Sequence, residues 1–191
     1  DVVGTECPVD GDGVLVSTGG GAVGSRLIEA ALLARARSQL LSNVPWRILV
    51  GHNLDEAQFE RFRLGAPDGV IVERNRPDFG TLLSRTQVSV SQVGYNTVID
   101  LLKARSRAVV VPFASATQTE QRLRAALLDA GGLAYALLPE ELTPGALAGA
   151  IDTTLARPRP SSTVDLNGAT RAAQILWELA GGKMATPWAL R

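Results

Sequence analysis

Residues 14–25 carry the reading of the fold: Val14-Leu15-Val16-Ser17-Thr18-Gly19-Gly20-Gly21-Ala22-Val23-Gly24-Ser25. Val14 to Ser17 is a short run without charge, as in a strand covered on both faces. Glycines follow at once. Leu27, Ile28, Ala31, Leu32 and Ala34 then recur at helical spacing, which predicts a helix from Arg26 to about Leu41 with Ser25 as its N-cap. Glycines at such a bend let a ligand approach the backbone. The helix start offers unpaired N–H groups and the positive end of a dipole. The bend suits a phosphate, and it equally suits a tight turn with no ligand.

The pattern repeats along the chain. Strands are predicted at Trp46 to Val50, Gly69 to Val72, Val88 to Ser91, Ala108 to Val111 and Leu133 to Leu137. Helices are predicted at Leu54 to Phe62, Asp78 to Ser84, Asn96 to Ala104, Thr119 to Ala130 and Pro144 to Leu155. Arg157-Pro158-Arg159-Pro160 reads as a hinge or linker, and Asn167 to Leu179 as a closing helix. Strict alternation implies an α/β fold: a doubly wound, parallel, six-stranded Rossmann-like sheet with helices on both faces, in order 3-2-1-4-5-6. In that order strands 1 and 4 are neighbours whose connections leave in opposite directions. The loops at 18–25 and 91–97 should then face one another across a crevice.

Composition narrows the function. The 191 residues, 46% hydrophobic with zero formal net charge, can build one core and are unlike a disordered chain. Without a basic excess there is no electrostatic footprint for nucleic acid. No apolar run approaches the roughly 18 residues that suggest a membrane span. Cys7 and His52 are the single cysteine and histidine, so an internal disulfide and a thiolate metal cage are excluded and any catalytic triad would need His52. Trp46, Trp177 and Trp188 read as packing residues. Asp10-Gly11-Asp12 is a literal D-x-D, but it precedes the first strand and reads as a turn. No metal and no cofactor are expected, and a reducing cytoplasm is the default compartment.

The second loop, Ser91-Gln92-Val93-Gly94-Tyr95-Asn96-Thr97, also joins a strand to a helix. Gly94 admits close contact, and Asn96 and Thr97 bring polar side chains to the first turn. This makes a second phosphate cradle opposite the first. One turn on, Asp100 suits ribose hydroxyls, or simply a charge balancing the helix dipole. Gln118 and Thr119, after the fifth strand, suit sugar hydroxyls or an ordinary helix start. Gly19, Gly21 and Gly24 also satisfy G-x-G-x-x-G. A dinucleotide fold needs an acidic residue ending the second strand, however, and here that turn reads Val50-Gly51-His52-Asn53.

Taken together, Ser91–Asp100 followed by Val109–Gln121 resembles the nucleotide-sugar signature of GT-B glycosyltransferases, and is similar in particular to glycosyltransferase family 28, which includes the GlcNAc transferase of peptidoglycan synthesis. The resemblance covers about residues 14–155 and is specific in the 91–121 stretch. It implies that Gly19, Gly20, Gly21, Gly94, Tyr95, Asn96 and Thr97 hold a diphosphate and that Asp100 holds the ribose. Asn75 and Arg76 would border the base, with Arg74 or Arg76 able to stack on it or to lie on the solvated surface. Gln118 and Thr119 would touch the donor sugar. Two positions depart from the pattern: Asp100 stands for the usual Glu, and Gln92 for the His of some relatives.

A GT-B enzyme has two such halves. The resemblance implies that this chain is the C-terminal, donor-binding half. Residues 1–12 would be a linker from a missing N-terminal acceptor domain, residues 13–156 the nucleotide-sugar-binding domain, and residues 157–191 a Pro/Arg linker and C-terminal helix. The implied partner is a nucleotide sugar, UDP-linked by expectation, with transfer of a hexosyl group to an acceptor hydroxyl by inversion. The catalytic base and any peripheral membrane contact would lie in the missing half, and this fragment alone would be inactive. A sugar-nucleotide epimerase-like domain and a dinucleotide-binding Rossmann domain remain as alternatives.

Overall fold

The computed structural model describes residues 12–19, 24–113, 119–161 and 164–180. The strands are β1 (Val14–Ser17), β2 (Trp46–Val50), β3 (Val70–Arg74), β4 (Val88–Ser91), β5 (Ala108–Val110) and β6 (Tyr135–Ala136). The helices are α1 (Ser25–Ala34), α2 (Glu56–Leu64), α3 (Phe79–Arg85), α4 (Tyr95–Ala104), α5 (Glu120–Ala130), α6 (Pro144–Leu155) and α7 (Gly168–Leu179). All the strands pair in parallel, in the order β3-β2-β1-β4-β5-β6, as the alternation predicts.

The pleat divides the core in two. Val14, Val16, Ile48, Val50, Val88, Val90 and Val109 pack against Leu27, Ile28 and Ala31 of α1, Phe59 and Phe62 of α2, and Leu147 and Ile151 of α6. Leu15, Leu49 and Val110 point the other way, towards Leu83 of α3, Leu101 of α4, and Ala125 and Leu128 of α5. Trp46 is fully buried where β2 begins, and its indole N–H donates to the Leu41 carbonyl at 2.9 Å.

Several local expectations are corrected. The first helix stops at Ala34, passes through a 3-10 turn at Arg35–Arg37 and ends well before Leu41. Asp152 of α6 accounts for this. Its carboxylate accepts from Ser38 Oγ at 2.6 Å, Gln39 N at 2.8 Å and Leu40 N at 3.4 Å, so these backbone donors are satisfied outside a helix. The N-cap is Gly24 rather than Ser25, which is the first helical residue. The last strand shortens to Tyr135–Ala136. Trp177 is 43% exposed on α7, a helix with no buried residue, so packing does not describe it. Trp188 and Cys7 lie outside the described residues.

The Arg-Pro stretch is tied to the body. The Arg157 carbonyl accepts from Arg107 Nε at 2.6 Å, its guanidinium lies 5.3 Å from the Tyr135 ring centre, and Arg159 Nη2 donates to the Thr86 carbonyl at 3.1 Å.

Surface ion pairs set the response to acid. Glu60, Asp78 and Glu140 are each held below their usual carboxylate range, first of all by hydrogen bonds from Arg63, Arg76 and Arg122 respectively. A depressed carboxylate stabilises the fold above its unfolded-state pKa, and that contribution disappears as pH falls through the folded value. Glu140 is exposed and Glu60 and Asp78 are partly exposed, so all three are screened by solvent and the effect is small. Thermal melts should be level from neutral pH to the onset of carboxylate protonation and fall below it. A melting temperature that rose on acidification would contradict the assignment.

Candidate functional site

The two central strands end side by side. Ser17 of β1 and Ser91 of β4 are register partners, and Gln92 N donates to the Ser17 carbonyl at 3.4 Å. The chain leaves β1 through Thr18 and Gly19 and enters α1 at Ser25. It leaves β4 through Gln92 and Val93 and enters α4 at Tyr95. Gly19 has φ +66°, which favours glycine. Gly24 lies so close to Thr18 that a Cβ there would stand 2.4 Å from the Thr18 Cβ, so the two ends of the first loop are pressed together by a residue without a side chain. Gly20 and Gly21 lie outside the described residues.

Both helices here start without a side-chain cap. The N-caps are Gly24 for α1 and Gly94 for α4, and neither helix has an acidic residue in its first turn. Of the other helices, α2 and α6 carry a side-chain cap, Asp55 accepting from Ala57 N and Gln58 N and Thr143 accepting from Ala146 N, while α3, α5 and α7 have none but start at Asp78, Thr119 and Asn167 rather than at a glycine. In α4 the first intrahelical bond runs from Val98 N to the Gly94 carbonyl at 3.0 Å. The N–H groups of Tyr95, Asn96 and Thr97 precede it and are turned outward with the positive end of the dipole. Gly94 is not required by packing: its φ is −65°, and an added Cβ would meet only Thr97 Oγ1 at 3.6 Å.

Asp100 lies three and four residues after Thr97 and Asn96, which places the three on one helix face. It is half-buried, and its carboxylate forms no hydrogen bond or ion pair with a described residue. Thr119 is the N-cap of α5 and makes no side-chain cap bond, while Gln118 lies outside the described residues.

The loop after β3 closes the first bend from the other side. Asn75 N donates to the Val50 carbonyl at 2.9 Å, and Asn75 Nδ2 donates to the Gly19 carbonyl at 3.1 Å. Asn75 Oδ1 and Ser91 Oγ are buried with no hydrogen-bond partner among the described residues, whereas buried polar groups are normally paired. Arg76 is paired with Asp78 at 2.8 Å and stands 3.7 Å from Glu73; these contacts hold its guanidinium above the ordinary arginine range.

Arg74 is turned into the fold rather than lying on the solvated surface. Its Nη1 donates to the carbonyls of Gly51 and Leu54 at 3.0 Å each, its Nη2 pairs with Glu56, and its guanidinium lies 4.2 Å from the Phe59 ring centre. This network also engages Glu56, and Asp55 is engaged as the α2 cap. The turn after β2 therefore presents no free carboxylate for a dinucleotide ribose, and His52 there is exposed. Asp12, the described end of the D-x-D, pairs with Arg85 at 2.8 Å at the opposite end of the strands.

The model of the glycosyltransferase family 28 C-terminal domain matches residues 14–175. The chain belongs to that family. The family 28 match includes every element from β1 into α7. A curated relative from Syntrophotalea carbinolica, UDP-N-acetylglucosamine--N-acetylmuramyl-(pentapeptide) pyrophosphoryl-undecaprenol N-acetylglucosamine transferase, is 29% identical over 159 residues, which is 80% of this chain and 43% of the relative. The chain thus spans less than half the length of that relative.

Among solved structures, Acinetobacter baumannii MurG aligns with a TM-score of 0.66 at 18% identity, covering 89% of this chain and 50% of that one. The calicheamicin glycosyltransferase aligns with a TM-score of 0.58 at 23% identity over 77% of this chain and 35% of that one. At these identities the structural matches show the fold, a Rossmann-like half of the GT-B architecture.

Asn75 and Gln121 both lie in stretches named from the sequence, but the contacts they make between loops were not legible there. Asn75 joins the third loop to the first. Gln121 accepts from backbone groups of two other loops, Val93 N at 3.2 Å and Phe113 N at 2.8 Å. A glutamine at a helix start is ordinary, and its partners emerge only once β4 and β5 lie side by side.

Proposed function

We propose that this chain is the donor-binding half of a glycosyltransferase and that it holds the diphosphate of a UDP-sugar between the loops leaving β1 and β4. The observation that carries the reading is the pair of uncapped, glycine-started helices at the ends of two adjacent strands. A diphosphate is the ligand such a geometry favours: it accepts from the N–H groups of Tyr95, Asn96 and Thr97, and its charge meets the positive helix end. In this reading Gly19, Gly20 and Gly21 of the first loop also serve the diphosphate. Asp100 accepts from the ribose hydroxyls, Asn75 and Arg76 border the base, and Gln118 and Thr119 meet the sugar. The curated relative, whose name specifies a UDP-N-acetylglucosamine donor, supports a UDP-linked sugar.

The chemistry assigned to the whole enzyme is inverting transfer. An acceptor hydroxyl loses its proton to a base, its oxygen attacks the anomeric carbon, and the bond to the β-phosphate oxygen breaks. The leaving diphosphate takes the electron pair, and the N-terminus of α4 stabilises its charge. The reading assigns base and acceptor to a second domain, and the match to only 43% of the relative's length supports that assignment. Residues 13–156 are then the donor domain, 1–12 the link to the other half, and 157–191 a Pro/Arg linker and C-terminal helix. Among the described residues no helix is long and apolar enough to cross a membrane.

Calorimetric titration with UDP, UDP-N-acetylglucosamine and NAD tests the reading. The two uridine ligands should bind and NAD should not; binding of NAD alone would overturn it. The ribose contact has its own test. A hydrogen bond to a charged group is worth roughly 1.5–3 kcal/mol. The unsubstituted chain should prefer UDP over 2′,3′-dideoxy-UDP by about tenfold or more, and Asp100→Asn should remove most of that preference. A preference that survives in the variant would place the ribose elsewhere.

A further inference from the structure

The first turns of α5 and the two loops beside it form a closed set of contacts. Gln121 Oε1 is the acceptor for both Val93 N and Phe113 N. Neither amide has another acceptor among the described residues. Three residues on, Arg124 donates through Nη1 to the Val93 carbonyl at 3.2 Å, and its Nη2 pairs with Glu120 at 2.7 Å. The Val93 side chain is fully buried in the cluster that includes Leu101 and Ala125. Val93 is therefore held at its amide, its carbonyl and its side chain.

The position of that residue gives the contacts their meaning. Val93 directly precedes Gly94, where α4 starts. Phe113 opens the segment that runs from β5 towards Thr119. One side-chain oxygen thus links the start of the loop proposed to hold the diphosphate to the start of the loop proposed to meet the sugar.

We infer that Gln121 is a positioning residue, braced by Arg124, that holds the Gly94 turn and Phe113, just past β5, in one register. The inference rests on the donor-binding reading for its functional meaning, but its geometric core does not need a ligand. Among the described residues the Gln121 side chain makes its contacts through the acceptor oxygen. A residue that touched the sugar with its amide would show a different pattern on substitution.

The test joins a ligand-free readout to a ligand-dependent one, both on the whole chain. Amide hydrogen exchange at Val93 and Phe113, followed by NMR, reads the tether directly. Gln121→Leu leaves two donors without an acceptor and should speed exchange at both amides by about tenfold or more. Gln121→Glu keeps the oxygen and the shape, and should restore exchange to within about threefold of the unsubstituted chain. Arg124→Met removes only the brace on the carbonyl and should give a smaller change at Val93, about threefold. It is the second variant if Gln121→Leu fails to fold.

Calorimetry separates positioning from contact. For Gln121→Leu, a positioning role predicts that UDP and UDP-N-acetylglucosamine lose affinity by the same factor, about tenfold. A loss confined to UDP-N-acetylglucosamine, with UDP unchanged, would make Gln121 a sugar contact and overturn the inference. Unchanged exchange in both Gln121→Leu and Arg124→Met would overturn it as well. An unsubstituted chain that binds neither uridine ligand would instead refute the donor-binding reading and remove the functional role, whatever the exchange data show.

Discussion

Gly94→Asp should stabilise the protein and abolish its affinity for UDP, two effects of opposite sign from one carboxylate. The backbone at Gly94, with φ −65° and ψ 152°, is extended and open to any L-residue, and a Cβ there meets only an ordinary contact at 3.6 Å. Aspartate at an N-cap accepts from the second or third helical N–H and opposes the dipole, worth roughly 0.5–2 kcal/mol of stability. The same carboxylate occupies the donors proposed for the diphosphate and sets a negative charge against it. Loss of two or more charge-assisted hydrogen bonds, at roughly 1.5–3 kcal/mol each, weakens UDP binding by at least about a hundredfold. Denaturant melts and calorimetry on the same preparation measure the two signs. A variant that binds UDP like the unsubstituted chain would remove the start of α4 from the site.

Trp46→Ala should cost about 3–5 kcal/mol of unfolding free energy. Trp46 is fully buried at the first position of β2, within the cluster shared with α1 and α6. Removing it leaves a large void and frees the Leu41 carbonyl from the indole N–H. Trp177→Ala supplies the internal control. That ring is 43% exposed on a helix that buries nothing, so its loss should change stability by less than about 0.5 kcal/mol. Urea unfolding followed by circular dichroism compares the two; equal costs would contradict the burial assigned to them.

The tryptophans also show what was legible in the sequence. Both are large apolar residues near predicted elements, and composition alone assigns them the same role. The sheet order was readable because it follows from alternation and handedness, which are properties of the chain taken serially. Val14–Ser17 and Val88–Ser91 could be placed as neighbours with no knowledge of any side-chain contact. The end of the first helix was not readable, because Asp152, more than a hundred residues away, captures Ser38, Gln39 and Leu40. The setting of Arg74 was not readable for a similar reason: its partners come from Gly51, Leu54, Glu56 and Phe59, which meet only in the fold.

The candidate site divides along the same line. Gly94, Asn96, Thr97 and Asp100 belong to one strand–turn–helix unit, so their shared face follows from helical spacing. Asn75 reaching Gly19, and Gln121 reaching Val93 and Phe113, bridge separate units and depend on tertiary placement. Sequence motifs identify groups that a ligand would touch more readily than groups that hold those in place.

The most direct test of the donor site is a titration of the isotope-labelled chain with UDP, followed amide by amide in NMR spectra. The largest shifts should fall on Gly19, Gly94, Tyr95, Asn96 and Thr97, with smaller ones at Asp100 and Asn75. Saturating UDP that leaves the amides of 94–97 unmoved, or shifts gathered at the opposite end of the strands around Asp12 and Arg85, would contradict it.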